Sequence, residues 1–326
     1  MAIKISIIIP TYKRPTLLKR CLQSLIIQDF NCDEYEIIVV TDGLDEETNR
    51  MLTDTEFYTS FSNLFCYSLP FRKGPAAARN AGWRIARGFL ILFTDDDCIP
   101  SINWIKNFYN AFRFYGECDM ALTGKVVVPL PPSPTDFELN TARLECVDFV
   151  TANCACTKAA LEMVNGFDEA FTMAWREDSD LQFNLLKNQI PIEKIEEAIV
   201  IHPARKAPWG ISLKEQRKSM FNALLFKKHP QLYKEKIGSP AVRSYYLMIV
   251  LLFTSFAEWF SNSKIIALVC FMAWLYLTIS FILKRLNNAS LSINHITEMI
   301  ATSILIPFVS VFWNLYGAVK FKVLRL

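Results

Sequence analysis

The chain has 326 residues, 52% of them hydrophobic, with a mean hydropathy of +0.21 and a net charge of only +3, enough for one large domain, or a medium domain with an appendage that prefers lipid. Its N-terminus, "MAIKISIIIP", has a five-residue apolar run before Pro10, too short for the h-region of a secretory signal, so the protein is expected to begin in the cytosol. Nine scattered cysteines, the closest pair being Cys154 and Cys156 with one residue between, exclude the two-to-four spacing of ordinary zinc sites and read as reduced, mostly buried thiols.

In chain order, "IKISIII" (3 to 9) reads as a buried strand. Leu17, Leu18, Cys21, Leu22, Leu25 and Ile26 then recur at helical spacing behind Pro15, a residue suited to a helix start. "EIIVV" (36 to 40), "LFCYSL" (64 to 69) and "FLILF" (89 to 93) read as three further strands. Strands separated by helices imply a mostly parallel sheet covered on both faces, with ligands at the carboxyl ends of the strands. Those ends carry Pro10, Thr11 and Tyr12, then Thr41, Asp42 and Gly43, then Asp95, Asp96 and Asp97.

Three adjacent acids after a buried strand have three ordinary explanations: a solvated loop, a divalent-cation site, or a covalent aspartyl nucleophile. Two other polar strand ends aimed at the same crevice favour the cation, Mn2+ or Mg2+, whose charge relieves the repulsion. In a strand-like "DDD" the first and third side chains point the same way, so Asp95 and Asp97 can share the metal while Asp96 reaches a sugar or ribose hydroxyl.

"PLPPSP" (129 to 134) is a loop, since it can be neither central strand nor helix interior. A second acidic cluster, "WREDSDL" (175 to 181), precedes an amphipathic stretch and reads either as an acid-rich helix start capped by Asp178 or Ser179, or as a general base facing the metal. Between Ile201 and Arg243 ten Lys/Arg face two acids, a local balance of +8 that fits a basic collar at an anionic membrane better than a nucleic-acid site. Beyond it, residues 265 to 283 and 299 to 319 are uncharged over lengths that span a hydrocarbon core. A weaker segment, 244 to 257, lies in the interface or forms a third span. With two spans the tail carrying Lys320, Lys322 and Arg325 returns to the cytosol as positive-inside prefers, whereas Lys284 and Arg285 pull the other way.

Six stretches, "SIIIPTYKRPTLLKRCLQSL", "EIIVVTDG", "KGPAAARNAGWRIARGFLILFTDDDCIP", "TANCACTKAALEMVNGFDEAF", "REDSDLQFNLL" and "IVIHP", together resemble, in order over residues 5 to 205, the family 2 glycosyltransferases. The resemblance implies an α/β chain of GT-A type, a mostly parallel sheet sandwiched by helices over residues 1 to 240, followed by membrane helices over 241 to 326. It further implies that Pro10 and Tyr12 flank a nucleotide base, with Thr11 beside them, that Asp42 contacts the base or its ribose, and that Arg79 lies near base and phosphates. Asp95 and Asp97 match the metal motif, and His202 matches a further metal or phosphate ligand. Asp178 matches the catalytic base, Glu177 orients the acceptor, and Gly166, Phe167 and Trp175 form the acceptor side.

The implied chemistry is inverting transfer of a sugar, expected from a UDP-linked donor, to a hydroxyl of a glycan or lipid-linked glycan at the cytoplasmic face of the cell membrane. No nucleic-acid partner is expected. Thr41 stands where the family often has a second Asp or Asn, and "EQRKS" (215 to 219) lacks the Trp of processive synthases, favouring single-residue transfer. A polyprenyl-phosphate acceptor, already ionised, would need no base, so the "ED" pair favours a hydroxyl. Two other classes remain: an aspartyl-phosphate phosphohydrolase with Asp95 as nucleophile, and a non-catalytic binder of nucleotide-sugar. A nicotinamide-dependent dehydrogenase is disfavoured, because "PTYKRP" offers no glycine for a pyrophosphate turn.

Overall fold

The computed structural model describes residues 2–53, 61–238, 243–261 and 263–323, so Arg325 of the basic tail lies outside the described residues. The chain forms two compact units: one comprises residues up to Pro129 together with Ala142–Ala204, the other Leu130–Thr141 together with Arg205 onward. The change of composition near residue 241 is therefore not where the compact units divide.

The first unit is built on an eight-stranded sheet of order β3-β2-β1-β4-β7-β6-β8-β5. The strands are β1 (Ile5–Thr11), β2 (Tyr35–Thr41), β3 (Leu64–Ser68), β4 (Leu90–Thr94), β5 (Ile99–Pro100), β6 (Ala121–Val127), β7 (Asn153–Thr157) and β8 (Ile192–Ile201). β3, β2, β1 and β4 run parallel, as expected from strands joined through helices. β7 runs antiparallel between β4 and β6, so the sheet as a whole is mixed.

β1 is buried at all seven positions. The strand's period of two sends Ile5, Ile7 and Ile9 to one core, with Leu18, Cys21 and Leu22 of helix α1 (Pro15–Ile26), and Ile8 to the other, with Ala76, Ala77 and Ala78 of helix α3 (Pro75–Ile85). Helix α2 (Glu46–Thr53) lies between these two in the chain. The small residues of α3 permit close approach to the sheet: a Cβ on Gly82 would come within 2.5 Å of Ile8 Cγ2. The remaining helices of this unit are α4 (Trp104–Phe114), α6 (Lys158–Val164) and α7 (Glu177–Lys187), in a chain where α5 (Asp136–Ala142) belongs almost wholly to the second unit.

The second unit contains α8 (Ile211–Glu215), α9 (Phe221–Lys228), α10 (Arg243–Phe260), α11 (Lys264–Leu286) and α12 (Ile293–Lys320). Among the described residues α11 and α12 are long and apolar enough to cross a membrane by length and composition. α10 and α11 form a helical hairpin in which the Ser255 hydroxyl donates to the Ala267 carbonyl at 2.8 Å.

No described cysteine is in a disulfide, and burial is divided. Cys21, Cys98, Cys154 and Cys156 are buried, whereas Cys32, Cys66, Cys118 and Cys146 are exposed.

Candidate active site

The parallel register Pro10↔Val40, Thr11↔Thr41 brings the carboxyl ends of β1 and β2 level, and β4 ends beside them at Thr94. At β2's end, Asp42 accepts from the backbone N–H of Lys73 (2.7 Å) and Gly74, which fixes the loop leading into α3. Gly74 needs its φ of +104° there, and a Cβ would strike the Thr172 carbonyl at 2.5 Å. The Arg72 guanidinium stacks over the Tyr12 ring, 4.5 Å from its centroid, leaving Tyr12 half-buried at the edge of the cleft. Pro10 is buried within β1, part of the wall rather than a free ring.

The three acids do not alternate as a strand would make them. β4 stops at Thr94, and the chain turns at once, closed by the Cys98 N–H donating to the Asp95 carbonyl at 3.1 Å. The three carboxylates consequently take three directions. Asp95 receives Arg79 Nη2 at 2.7 Å. Asp96, 2% exposed, accepts from the Thr11 hydroxyl (2.8 Å) and from Arg14 (3.1 Å). Burial pushes its pKa up to about 6 against the pull of Arg14.

Asp97 faces His202 Nε2 at 3.5 Å. The antiparallel pair Ile99↔Ile201 explains this meeting, since Asp97 and Cys98 directly precede β5 and His202 directly follows β8. Asp97, Cys98 and His202 are all buried, and each offers one ligand-type atom within 4.8 Å of the others. Asp95, expected to share a metal with Asp97, is turned toward Arg79 instead, and Cys98 lies in this cluster beside Asp97 and His202. Burial, reinforced by Asp95 and Asp97, pushes the Cys98 thiol well above its ordinary range. His202 Nδ1 is buried without a hydrogen-bond partner among the described residues. A carboxylate and an imidazole with an unsatisfied nitrogen suit a hard divalent cation.

Helix α7 begins one residue before the expected cap. Arg176, at φ +75°, is the N-cap, so Glu177 and Asp178 both fall in the first turn, where the helix dipole favours negative charge. Glu177 is buried and accepts from Arg79 Nη1 at 3.2 Å, which makes Arg79 a bridge from Asp95 to Glu177. Arg79 itself is 2% exposed, and its guanidinium holds the two protein carboxylates. Burial, with Asp178's charge behind it, pushes Glu177 up to about 7 despite Arg79, and burial raises Asp178 as well. Asp178 is half-buried and accepts from the Ser179 N–H at 2.7 Å.

Of the three expected acceptor residues only Trp175 is at the surface, with Arg176 over its ring at 4.7 Å. Gly166 and Phe167 are buried, for a clear cause. The Phe167 ring packs edge-on against Phe93 (5.2 Å), and its backbone exchanges two hydrogen bonds with the Asn80 side chain, at 2.8 and 3.0 Å. A Cβ on Gly166 would lie 2.6 Å from the Asn80 amide oxygen. Asn80, adjacent to Arg79 on buried α3, thus pins the loop that leads into Glu177, and Asn80→Ala is expected to lower stability by about 2–3 kcal/mol, read as a fall in Tm. Asn80, Cys98 and Arg14 were missed by sequence reasoning, although the first two lie beside residues it singled out.

A mixed sheet whose strand ends gather acids and an imidazole, with an acid pair at the start of α7, has the architecture of a GT-A fold. Residues 6–134 match the family model "Glycosyl transferase family 2". Over 303 residues the chain is 24% identical to validoxylamine A glucosyltransferase of Streptomyces hygroscopicus subsp. jinggangensis, covering 80% of this chain and 69% of that enzyme; it spans 64% of the counterpart from subsp. limoneus. Among solved structures it resembles the mannosyltransferase PcManGT from Pyrobaculum calidifontis in complex with GDP-Man and Mn2+ (TM-score 0.59, 16% identity, 97% of this chain and 88% of that one). It also resembles S. aureus TarS 1–349 in complex with UDP-GlcNAc (TM-score 0.51, 16% identity, 99% and 93%). Residues 6–134 thus carry a glycosyl transferase family 2 domain, and the similar proteins mark the chain as an enzyme of the transferase class.

Proposed function

We propose that the chain transfers a single sugar from a nucleotide-diphosphate donor, UDP-linked, to a hydroxyl of a glycan or lipid-linked glycan, with inversion, at the cytoplasmic face of a membrane. One observation carries the reading: Arg79 joins Asp95 at the strand ends to buried Glu177, the neighbour of half-buried Asp178, so donor-side and acceptor-side carboxylates belong to one connected site. In this reading the first 204 residues, with their sheet, hold the chemistry, and the helices after residue 205 attach it to the membrane.

Asp97 and His202 would hold Mn2+ or Mg2+. When bound, such an ion neutralises charge on a departing nucleoside diphosphate. Tyr12, with Arg72 behind it, offers a flat face to the base, and Asp96 and Thr11 line the floor beneath the ribose. Asp178 takes the proton of the attacking hydroxyl, and Glu177, held by Arg79, fixes the first turn that presents it. The molecules held in similar structures, UDP-GlcNAc by TarS and GDP-Man by PcManGT, support a nucleotide-sugar donor. A hydroxyl acceptor of the kind implied by the name validoxylamine A glucosyltransferase would equally use a base.

The test is calorimetric binding of UDP, dTDP and GDP with and without Mn2+, repeated on Asp97→Asn. Metal-dependent binding of UDP, weakened at least about tenfold by the substitution, is expected. Equal binding by the variant, or no binding to the folded protein, would overturn the donor-site reading.

A further inference from the structure

Both long apolar helices of the second unit satisfy the length of a membrane span, yet their surroundings differ. α12 is accompanied along its length by the polar segment 210–228. Near its start, Glu298 accepts from the Gly210 N–H at 2.7 Å. Further along, Arg217 lies over the Trp313 ring at 5.5 Å, and Gly317 packs so closely on Met220 that a Cβ would fall 2.4 Å from its carbonyl oxygen. At the end, Lys227 donates to the Phe321 carbonyl at 2.9 Å. The face of α12 turned inward is a helical stripe of His295, Met299, Thr302, Ile306, Ser310 and Gly317. Were α12 to cross a bilayer, segment 210–228 would have to cross with it, carrying Lys214, Arg217, Lys218, Lys227 and Lys228 into hydrocarbon, where each cation is costly.

The α10–α11 hairpin is the reverse case. Its outward side chains are apolar and open, Ile265 being 80% and Tyr276 71% exposed, with Phe253, Phe256 and Val269 similar. An apolar surface of that extent needs a cover. At about 1.5 Å per residue the two helices are about 27 and 34 Å long, close to a hydrocarbon core of about 30 Å. Arg243 and Lys284 stand at one end, and Glu258, Trp259 and Lys264 at the turn, a placement suited to the two headgroup regions.

The direction of the hairpin follows from a single ion pair. Arg285, at the end of α11, binds Asp136 (2.8 Å), the Thr302 hydroxyl (2.7 Å) and the Ser212 hydroxyl (3.1 Å). Asp136 lies in the segment 130–141, which leaves and rejoins the sheet-bearing chain at Pro129 and Ala142. A stretch that short, at about 3.5 Å per residue, reaches about 25 Å at most and cannot cross a bilayer. Asp136, and with it Arg285, is therefore on the side of the membrane where the catalytic residues are.

We infer that only the α10–α11 hairpin enters the bilayer, with the end of α10 and the start of α11 on the far side, while α12 lies along the near interface as a brace held by segment 210–228. This exchanges the second span expected from hydropathy, 299 to 319, for the weaker segment 244 to 257. The exposed apolar residues of α12, Phe312, Leu315 and Val319, then meet the headgroup boundary. Lys284 and Arg285, which opposed the positive-inside rule under the earlier topology, conform to it under this one.

The inference rests on the membrane attachment in the proposed function and not on the chemistry. Its test uses the full chain in sealed membrane vesicles of both orientations, with Cys66, Cys118, Cys146 and Cys270 replaced by serine and exposed Cys32 kept as the marker of the catalytic face. Ser261→Cys and Asn287→Cys are then labelled with a membrane-impermeant maleimide. The expected result is Asn287→Cys labelled from the same face as Cys32 and Ser261→Cys from the opposite face. Labelling of Asn287→Cys from the face opposite Cys32, or of Ser261→Cys from the same face, would overturn the hairpin while leaving the anchor intact. Release of the protein by alkaline carbonate would overturn the anchor itself, whatever the enzyme's activity.

Discussion

Asp178→Asn is expected to lower turnover by about 10²–10⁴-fold, the usual worth of a positioned general base, while leaving metal-dependent nucleotide binding unchanged. The amide preserves the shape of the side chain and can still accept from the Ser179 N–H, but it cannot take a proton from an acceptor hydroxyl. The pH dependence separates this role from a structural one. Burial raises both Asp178 and Glu177, the latter to about 7, and the base must be ionised to act. Activity should therefore be full above neutrality and fall as pH drops through the region of 7, with an inflection that belongs to the interacting pair and not to either acid alone. In Asp178→Asn that acid limb should flatten. Wild-type turnover in the variant would instead mean a nucleotide-sugar binding protein without this base, and a limb near the ordinary carboxylate range would mean that the pair is solvated when substrate is bound.

The legible part of the molecule was the part governed by local pattern. Runs such as "IKISIII" and "EIIVV" are buried on both faces and could hardly be anything but central strands, and the acids after "FLILF" fall at the expected strand end. His202 was legible only through family resemblance, since its approach to Asp97 depends on the Ile99↔Ile201 pairing between strands about a hundred residues apart. The direction of each carboxylate was not legible. "DDD" looks like a continuation of β4, but whether it continues or turns is decided by partners elsewhere in the chain: Arg79 for Asp95, Thr11 and Arg14 for Asp96. "NGFDEAF", which the resemblance assigns to the acceptor side, depends likewise on a distant partner: Asn80 draws its backbone inward. Hydropathy also ranked 299–319 above 244–257 because it counts charges along the sequence and not those that pack alongside.

Substitution of Arg79 is expected to have the broadest effect, because its guanidinium satisfies two carboxylates from inside the fold. Removing one partner of a buried ion pair costs about 3–5 kcal/mol, since the other charge is left without compensation. Arg79→Met should therefore show a large fall in Tm. Arg79→Lys is the more informative variant: an ammonium keeps the charge but lacks the planar fork that reaches Asp95 at 2.7 Å and Glu177 at 3.2 Å together. Whichever carboxylate it keeps, the other loses a stabilising partner. If Glu177 is the loser, its pKa rises further, because burial and Asp178 already push it up and Arg79 is what holds it down. The acid limb of the rate profile should then move to higher pH, with kcat falling more than nucleotide affinity. If Asp95 is the loser, the limb stays in place and metal-dependent nucleotide binding weakens instead. Unchanged kinetics on both axes in a folded Arg79→Lys would mean that the bridge serves only stability, and that the acid pair and the strand-end carboxylates act independently.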